Sequence, residues 1–500
     1  MSAPQQDRKA KGRRGKKRRA DRRGVALVMV LGAITILTVF LTELQEETSS
    51  ELSAALAERD AVRAEYYARS AVNLSRLLIA MEPKIRASIP FLQMLGLKQL
   101  PVWKYQDMVL GPFNGAEDTK SFNSMINADP STGKNLGLLG GGHFELNIVD
   151  EDSKININAA ALNLPDPKTT LGRQLIGLIS SPEYNPLFEG RDLDNQFSDR
   201  QTICAAIIDW ADSESSGAED LGTRFCDPSS QSTANGTEDN FYQMIGLPYR
   251  RKNAAFDSLD ELRLVRGISD DFWSTFVDPE PGKADKRILT VWGQGKINLN
   301  TATAQTLLAV VCSDTGAQQF FCSDPAQVVP FLQMLTLAQS FLPPGVPLFG
   351  SAKELTGFLE NGGQPPQGGN SAQAMSVSGM ILPMLTSALG VTLKPFKFQS
   401  KSTVERQLGN TSKIFSIYAD GIVPGFRKTT KVRIHAVVDF RLAQGIGEAF
   451  GIIPAPGNGG AGQPPGSPPN NALAASMPPA AFNALMQSNP AGTVIYWRVE

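Results

Sequence analysis

The first clear pattern along the chain is an apolar run, Val25 to Leu41, seventeen residues without a charge. As a helix it is about 26 Å long, close to the roughly 30 Å hydrocarbon core of a bilayer, so it can span a membrane. From Leu44 to Met81 the pattern turns amphipathic. Strong helix formers continue without Gly or Pro, and Leu44, Leu52, Ala55, Val62, Tyr66, Leu74, Leu77 and Leu78 recur near helical spacing. With Glu82 and Pro83 as the stop, this predicts one helix from Val25 to Glu82, about 87 Å long. Its first half is apolar all round and its second half is expected to dock on a globular domain.

Residues 84–142 read as loops with one short helix. At Phe144, Leu146 and Ile148 the period becomes two; Asp150 to Ser153 turn the chain and Lys154-Ile-Asn-Ile-Asn158 returns, which predicts a β-hairpin. Ile288 to Trp292, the Gly293-Gln-Gly295 turn and Lys296-Ile-Asn-Leu-Asn300 predict a second. In both, the last asparagine, Asn158 or Asn300, is placed to cap a following helix. Two KINxN strands about 140 residues apart suggest a sheet interrupted by an insertion. The insertion, 160–286, reads as helical at Leu171–Leu178, Asp199–Trp210 and Leu259–Val265, with Gly267 ahead of a helix start at Ser269. A second helical unit, 301–360, contains Ala302–Val311, Ala326–Leu337 and Ala352–Leu359 and leads into a Gly/Pro/Gln spacer. Phe396–Ser402, Lys413–Asp420 and Thr430–Leu442 then alternate like three antiparallel strands, within 396–442. A Pro/Gly-rich loop, 451–481, precedes Thr493–Glu500, an edge strand or core plug. The fold class is α+β, organised as 1–24, the helix 25–82, a first sheet part 83–159, the insert 160–286 and a second sheet part 287–500.

Charge orients this arrangement. Residues 1–24 carry eleven Lys or Arg against Asp7 and Asp21, which holds the arm in the cytoplasm and sends the body across the membrane. The run is followed by Thr42-Glu-Leu-Gln-Glu-Glu47 rather than by a signal-peptidase site. Without the arm, 37 basic residues face 47 acidic ones, a net of about −10, which disfavours general nucleic-acid binding. Four cysteines in a chain sent to an oxidising compartment allow three connectivities. The short Cys312–Cys322 loop suggests one disulfide, and Cys204–Cys226 follows by elimination.

Catalytic signatures are missing: there is no HExxH, GxSxG, CxxC or phosphate-loop pattern, and the two histidines, His143 and His435, sit in strand patterns. The strongest chemical signal is Asp209-Trp-Ala-Asp-Ser-Glu-Ser-Ser-Gly-Ala-Glu-Asp220, whose five carboxylates are hard oxygen donors of the kind calcium takes. A solvated acidic loop is the plainer reading of the same residues. The segment Leu259 to Ser269 resembles a helix-hairpin-helix, a motif whose backbone amides can hold a phosphate, although a helical packing unit explains it as well.

Taken together, the basic arm with Gly24 before the apolar run, KININ, DWADSESSGAED, LPYRRKNAAFDSLDELRLVRGIS, QGKINLNTATAQTL and the terminal YWRVE resemble the type II secretion protein K family, the large minor pseudopilins. The resemblance implies cleavage by prepilin peptidase between Gly24 and Val25 with N-methylation of Val25. It implies a pilin-like antiparallel sheet under the long helix, with an inserted all-α domain. It also implies a non-catalytic role at the tip of a periplasmic pseudopilus with I-type and J-type minor pseudopilins. Further partners would be the major pseudopilin, the inner-membrane platform, the outer-membrane secretin and secreted cargo. On this reading the protein crosses the bacterial inner membrane once. Calcium sites in relatives direct attention to Asp212, Glu214, Glu219 and Asp220 as ligands. The fifth mature position, usually Glu in pilin-like subunits, is Met29, which fits the tip. The alternatives are a membrane-anchored nucleic-acid-binding protein and a large minor pilin of a type IV pilus.

Overall fold

The computed structural model describes residues 22–88, 98–110, 141–162, 164–190, 197–212, 225–226, 240–244, 246–293, 295–314, 320–342, 346–364, 377–388, 390, 393–425, 428–443 and 491–500. Helix α1, Arg22–Ala87, is continuous over 66 residues. It runs through Pro83, where a stop was expected. Proline removes one N–H from the last turns, but Glu82 and Arg86 bridge that point with a 2.9 Å ion pair, and Ser88 N donates to Lys84 O at 3.0 Å to close the end.

Among the described residues, four strands form the main sheet in the order β1 (His143–Asp150), β6 (Ile414–Pro424), β7 (Thr429–Asp439), β8 (Thr493–Val499), all antiparallel. The period-two patterns at 144–148, 413–420 and 430–442 and the apolar C-terminal segment therefore all reach this sheet. One face buries Phe144, Ile148, Phe415, Ile417, Ala419, Ile434, Ala436 and Val438 against Ala64, Ala68, Ala71 and Val72 of α1. The helix lies so close to β6 that a Cβ on Gly421 would fall 1.8 Å from the carbonyl oxygen of Ala64. Small residues on both sides make this approach possible.

The neighbours β1 and β6 are joined through residues 151–413, which hold a second and larger core. Its first helices are α2 (Pro165–Ile179) and α3 (Arg200–Ala211), the latter capped by Asp199 accepting from Thr202 N at 2.8 Å. Next come α4 (Ala304–Cys312), α5 (Pro325–Phe341), α6 (Ala352–Glu360), α7 (Val377–Ala388) and α8 (Lys401–Gln407). Helices α2 and α4 touch at Gly177, where a Cβ would meet Ala309 O at 2.4 Å, and a Gln174–Gln407 bond of 2.9 Å seals the same seam.

Neither expected hairpin forms. After β1 the Asp150 carboxylate accepts from Asp152 N and winds Glu151–Ser153 into a 3₁₀ turn that carries the chain off the sheet. The two KIN segments then pair in parallel with distant strands: β2 (Ile155–Asn156) with β3 (Leu289–Thr290), and β4 (Ile297–Asn298) with β5 (Leu408–Gly409). Phe396–Ser402 is not a strand either. Phe396 packs 4.5 Å from Phe398 in the helical core, and the Asp314 carboxylate takes the Ser400 N–H as α8 begins. Leu259–Leu264 is a 3₁₀ rather than an α-helix. The Pro/Gly-rich loop 451–481 and most of the spacer after Asn361 lie outside the described residues.

Replacing Gly421 by alanine is expected to lift α1 from the sheet at a cost of about 3 kcal/mol, read as a lowered midpoint in denaturant melts of the detergent-solubilised protein. As a contrast, Gly357→Ala inside α6, with nothing within 4 Å of the new methyl, is expected to stabilise by about 0.5–1 kcal/mol. Equal midpoints for the two variants would show that the close approach at Gly421 bears no weight.

Candidate functional site

From Val25 to Arg59 the side chains of α1 are almost all uncovered; Val25 is 58% and Met29 67% exposed. The apolar stretch at its start is long and apolar enough to cross a membrane. Its threonines do not disturb that: the Thr35 and Thr42 hydroxyls donate to Gly32 O at 2.9 Å and Thr38 O at 3.0 Å, and Thr38 bonds back to Ile34 O. Gly24 and Val25 both lie within α1. Farther along, at 100° per residue, Leu44, Leu52, Val62 and Tyr66 fall on the face opposite Ala64, Ala68 and Ala71. All four are exposed, so α1 shows one apolar face to the sheet and a second, uncovered one away from it.

The acidic loop is only partly in view. Asp212, the residue after α3, is buried and paired with the equally buried Lys168 at 3.3 Å. Glu214, Glu219 and Asp220 lie outside the described residues. No group of three or more His, Cys, Asp or Glu side chains suited to a metal occurs among the described residues. Asp212 has the right oxygen donor for calcium, but an ammonium group already balances its charge. The disulfide Cys204–Cys226 spans this loop with Cα atoms 6.1 Å apart, and Cys312–Cys322 closes the turn after α4 at 5.9 Å. The histidines do not converge: His143 pairs with Ile422 across β1 and β6, and His435 stacks 4.2 Å from Tyr418, where burial pushes its pKa down to about 4.

Asn158 and Asn300 are clamps rather than helix caps. Asn158 accepts from Phe256 N at 2.7 Å and donates to Phe256 O at 2.9 Å; Asn300 does the same with Phe349 at 3.2 and 3.1 Å. The cap of α4 is Thr303, which accepts from Thr306 N. Two residues before each clamp, Asn156 or Asn298 accepts the clamp's own N–H. One residue after each phenylalanine, Asp257 or Gly350 donates its N–H to Glu261 or Glu354. The two helical units are thus held by one repeated device, and its signal was present in the sequence as FDSLDEL beside FGSAKEL.

Between the sheet and the second unit sits Asp150. Its carboxylate is buried and accepts from the Ser412 hydroxyl, from Thr301 Oγ1 at 2.6 Å and from Asp152 N at 2.9 Å. Burial pushes its pKa up to about 6, against the lowering effect of those bonds. Beside it, Asp152 accepts from Lys413 N and Ile414 N, and Glu151 pairs with Lys154 at 3.1 Å. Burial would raise Glu151 as well, but Lys154 and the hydrogen bonds hold it below the usual range.

Gly267, at φ 79°, packs against Ile203 and Ser198, and the helix that follows is capped by Ser269 itself and opens on Asp270 and Asp271. Two carboxylates at that end oppose a phosphate.

A family model described as type II secretion system protein K matches residues 153–276, which run from just after Asp150 through the first Asn–Phe clamp. Over that stretch, about a quarter of its length, the chain is similar to the type II secretion system protein K family. Over 135 residues, 27% of its length, it is 26% identical to type II secretion system protein K of Pectobacterium carotovorum subsp. carotovorum. The chain spans about a third of that relative, 34% of its length. Among solved structures, the crystal structure of the GspK–GspI–GspJ complex from the enterotoxigenic Escherichia coli type 2 secretion system aligns at a TM-score of 0.35 and 14% identity. The alignment covers 79% of this chain and 94% of that one.

Because Asp150 ionises at a higher pH in the fold than in the unfolded chain, its contribution is fully present below the unfolded pKa. It is lost as pH rises through about 6. Asp150→Asn removes that dependence, so the stability of the variant relative to the parent is expected to improve by about 3 kcal/mol between about pH 4 and pH 7. Denaturant melts of both proteins across that range check it, and a difference independent of pH would refute the assignment.

Proposed function

We propose that the chain is a non-catalytic minor pseudopilin of a type II secretion system that primes and caps a periplasmic pseudopilus. The observation that carries this reading is the match of residues 153–276 to the protein K family, on a chain whose α1 leaves an apolar span uncovered. On this reading prepilin peptidase cuts between Gly24 and Val25, and Val25 is N-methylated. The helix then waits in the inner membrane with the body in the periplasm. Its work is binding energy: the Leu44, Leu52, Val62 and Tyr66 face packs with the helices of I-type and J-type pseudopilins as the group leaves the lipid. The major pseudopilin and inner-membrane platform act in assembly, and secretin and secreted cargo meet the body. Met29 supplies no carboxylate to pair with a neighbour's terminal amine, which suits a subunit with no neighbour above it.

N-terminal sequencing of the protein from cells with and without prepilin peptidase tests this. A start at Val25 is expected only when the peptidase is present; the same start in both strains would rule the reading out.

Calcium belongs to the proposal through the acidic loop, with Asp212, Glu214, Glu219 and Asp220 as its holders. Bound there, the ion would supply charge to fasten the loop, and Lys168 would release Asp212. Calcium is expected to raise the melting temperature of the detergent-solubilised protein relative to EDTA, and Asp212→Ala combined with Glu219→Ala is expected to abolish that gain. Identical melts in calcium and EDTA would remove the ion from the account.

A further inference from the structure

A cleft of about 790 Å³ opens between the sheet's β1 edge and the second helical unit, and a smaller one of about 480 Å³ continues it past α8. Lys98 and Asn410 line both, so the two form one elongated groove. Five basic residues border it: Lys98, Lys104 and Lys286 along the first part, and Lys98 again with Lys353 and Arg406 along the second. All five are exposed. None makes an ion pair among the described residues; Arg406 donates only to the Thr403 hydroxyl, at 3.3 Å.

Several basic residues elsewhere on the body are instead held in ion pairs. Lys252 is paired with Asp257 and Glu261, Lys431 and Arg433 with Asp420, Arg441 with Asp439, and Lys401 with Glu360. Three of the four acids of the groove have hydrogen-bond or ion-pair partners, and only Glu280 has its charge balanced. Asp150 is enclosed by its hydroxyl donors, Glu280 is paired with Lys283, and Glu405 accepts from the Thr356 hydroxyl. Asp285 is the exception, an exposed carboxylate on the wall that holds Lys286. On a body carrying about ten more acids than bases, this groove collects cations without ion-pair partners. Exposed and aligned, they present a positive track to an anion.

We propose that the groove binds an acidic, extended polypeptide segment of a partner protein. Charge complementarity identifies the occupant's sign, and the walls identify its class. Pro101, Leu332, Leu342 and Pro347 interrupt the cations with apolar surface, which suits a chain with carboxylate and aliphatic side chains. A phosphate site would instead be expected to offer paired guanidinium forks or a cluster of backbone N–H groups. The inference does not depend on the secretion reading, since it follows from the groove alone.

The test uses the full-length protein in neutral detergent and a fluorescein-labelled peptide of repeating Glu-Ser-Leu units, followed by anisotropy. Saturable binding is expected, weakening as sodium chloride rises from about 50 to 300 mM. Lys98→Gln, Lys104→Gln and Lys353→Gln together are expected to raise Kd about tenfold or more, whereas Lys252→Gln with Lys431→Gln leaves it unchanged. Equal effects of the two variants would reduce the binding to net charge and overturn the proposal. So would an unchanged Kd in the groove variant, or equal binding of a Lys-Ser-Leu peptide. Groove-dependent binding of inorganic polyphosphate without binding of the peptide would overturn it in favour of a phosphate ligand.

Discussion

The structure depends on how closely one helix can lie on one strand. At Gly421 the backbone of β6 comes within reach of the Ala64 carbonyl, and Ala64, Ala68 and Ala71 keep the helix side equally thin. Close packing of small residues gives α1 a defined height and angle on the sheet, which bulky interdigitating side chains would not. Everything the helix does beyond the body inherits that angle. The same arrangement recurs at Gly177, where α2 meets Ala309 of α4, so both the helix-to-sheet and the unit-to-unit seams are set by a missing side chain.

The second constraint is electrostatic and lies where the sheet ends. Asp150, Glu151 and Asp152 are consecutive and all buried, an arrangement that water would oppose unless every oxygen were answered. Hydroxyls from Thr301 and Ser412, backbone N–H groups at 413 and 414, and Lys154 answer them. The long-range donors come from far along the chain: Thr301 is 151 residues from Asp150 and Ser412 is 262. The network therefore joins β1, the start of β6 and the second helical unit in a single place. The Asn158–Phe256 and Asn300–Phe349 clamps then repeat one local solution inside each unit.

Much of this was legible in the sequence because it is periodic. The apolar run, the amphipathic continuation of α1 and the alternating strands 143–150, 414–424 and 429–439 all follow from side-chain spacing. The parallel pairs β2–β3 and β4–β5 did not, since each is two residues long and its partner is chosen by tertiary packing rather than by a local turn. The acid run at 150–152 read as a turn because nothing local announces Thr301 or Ser412. For the same reason Asp212 read as an open carboxylate: its partner Lys168 stands 44 residues earlier. FDSLDEL and FGSAKEL were readable, but only a comparison of the chain with itself brings them out.

The unbroken α1 has a mechanical meaning. About 60 Å of helix separates Val25 from the seam at Ala64, and from Thr42 to Arg63 it contains neither glycine nor proline to act as a joint. Such a rod works as a strut. Axial force applied at its apolar end reaches the sheet without being absorbed by bending at a hinge, and the body must rise when the rod does.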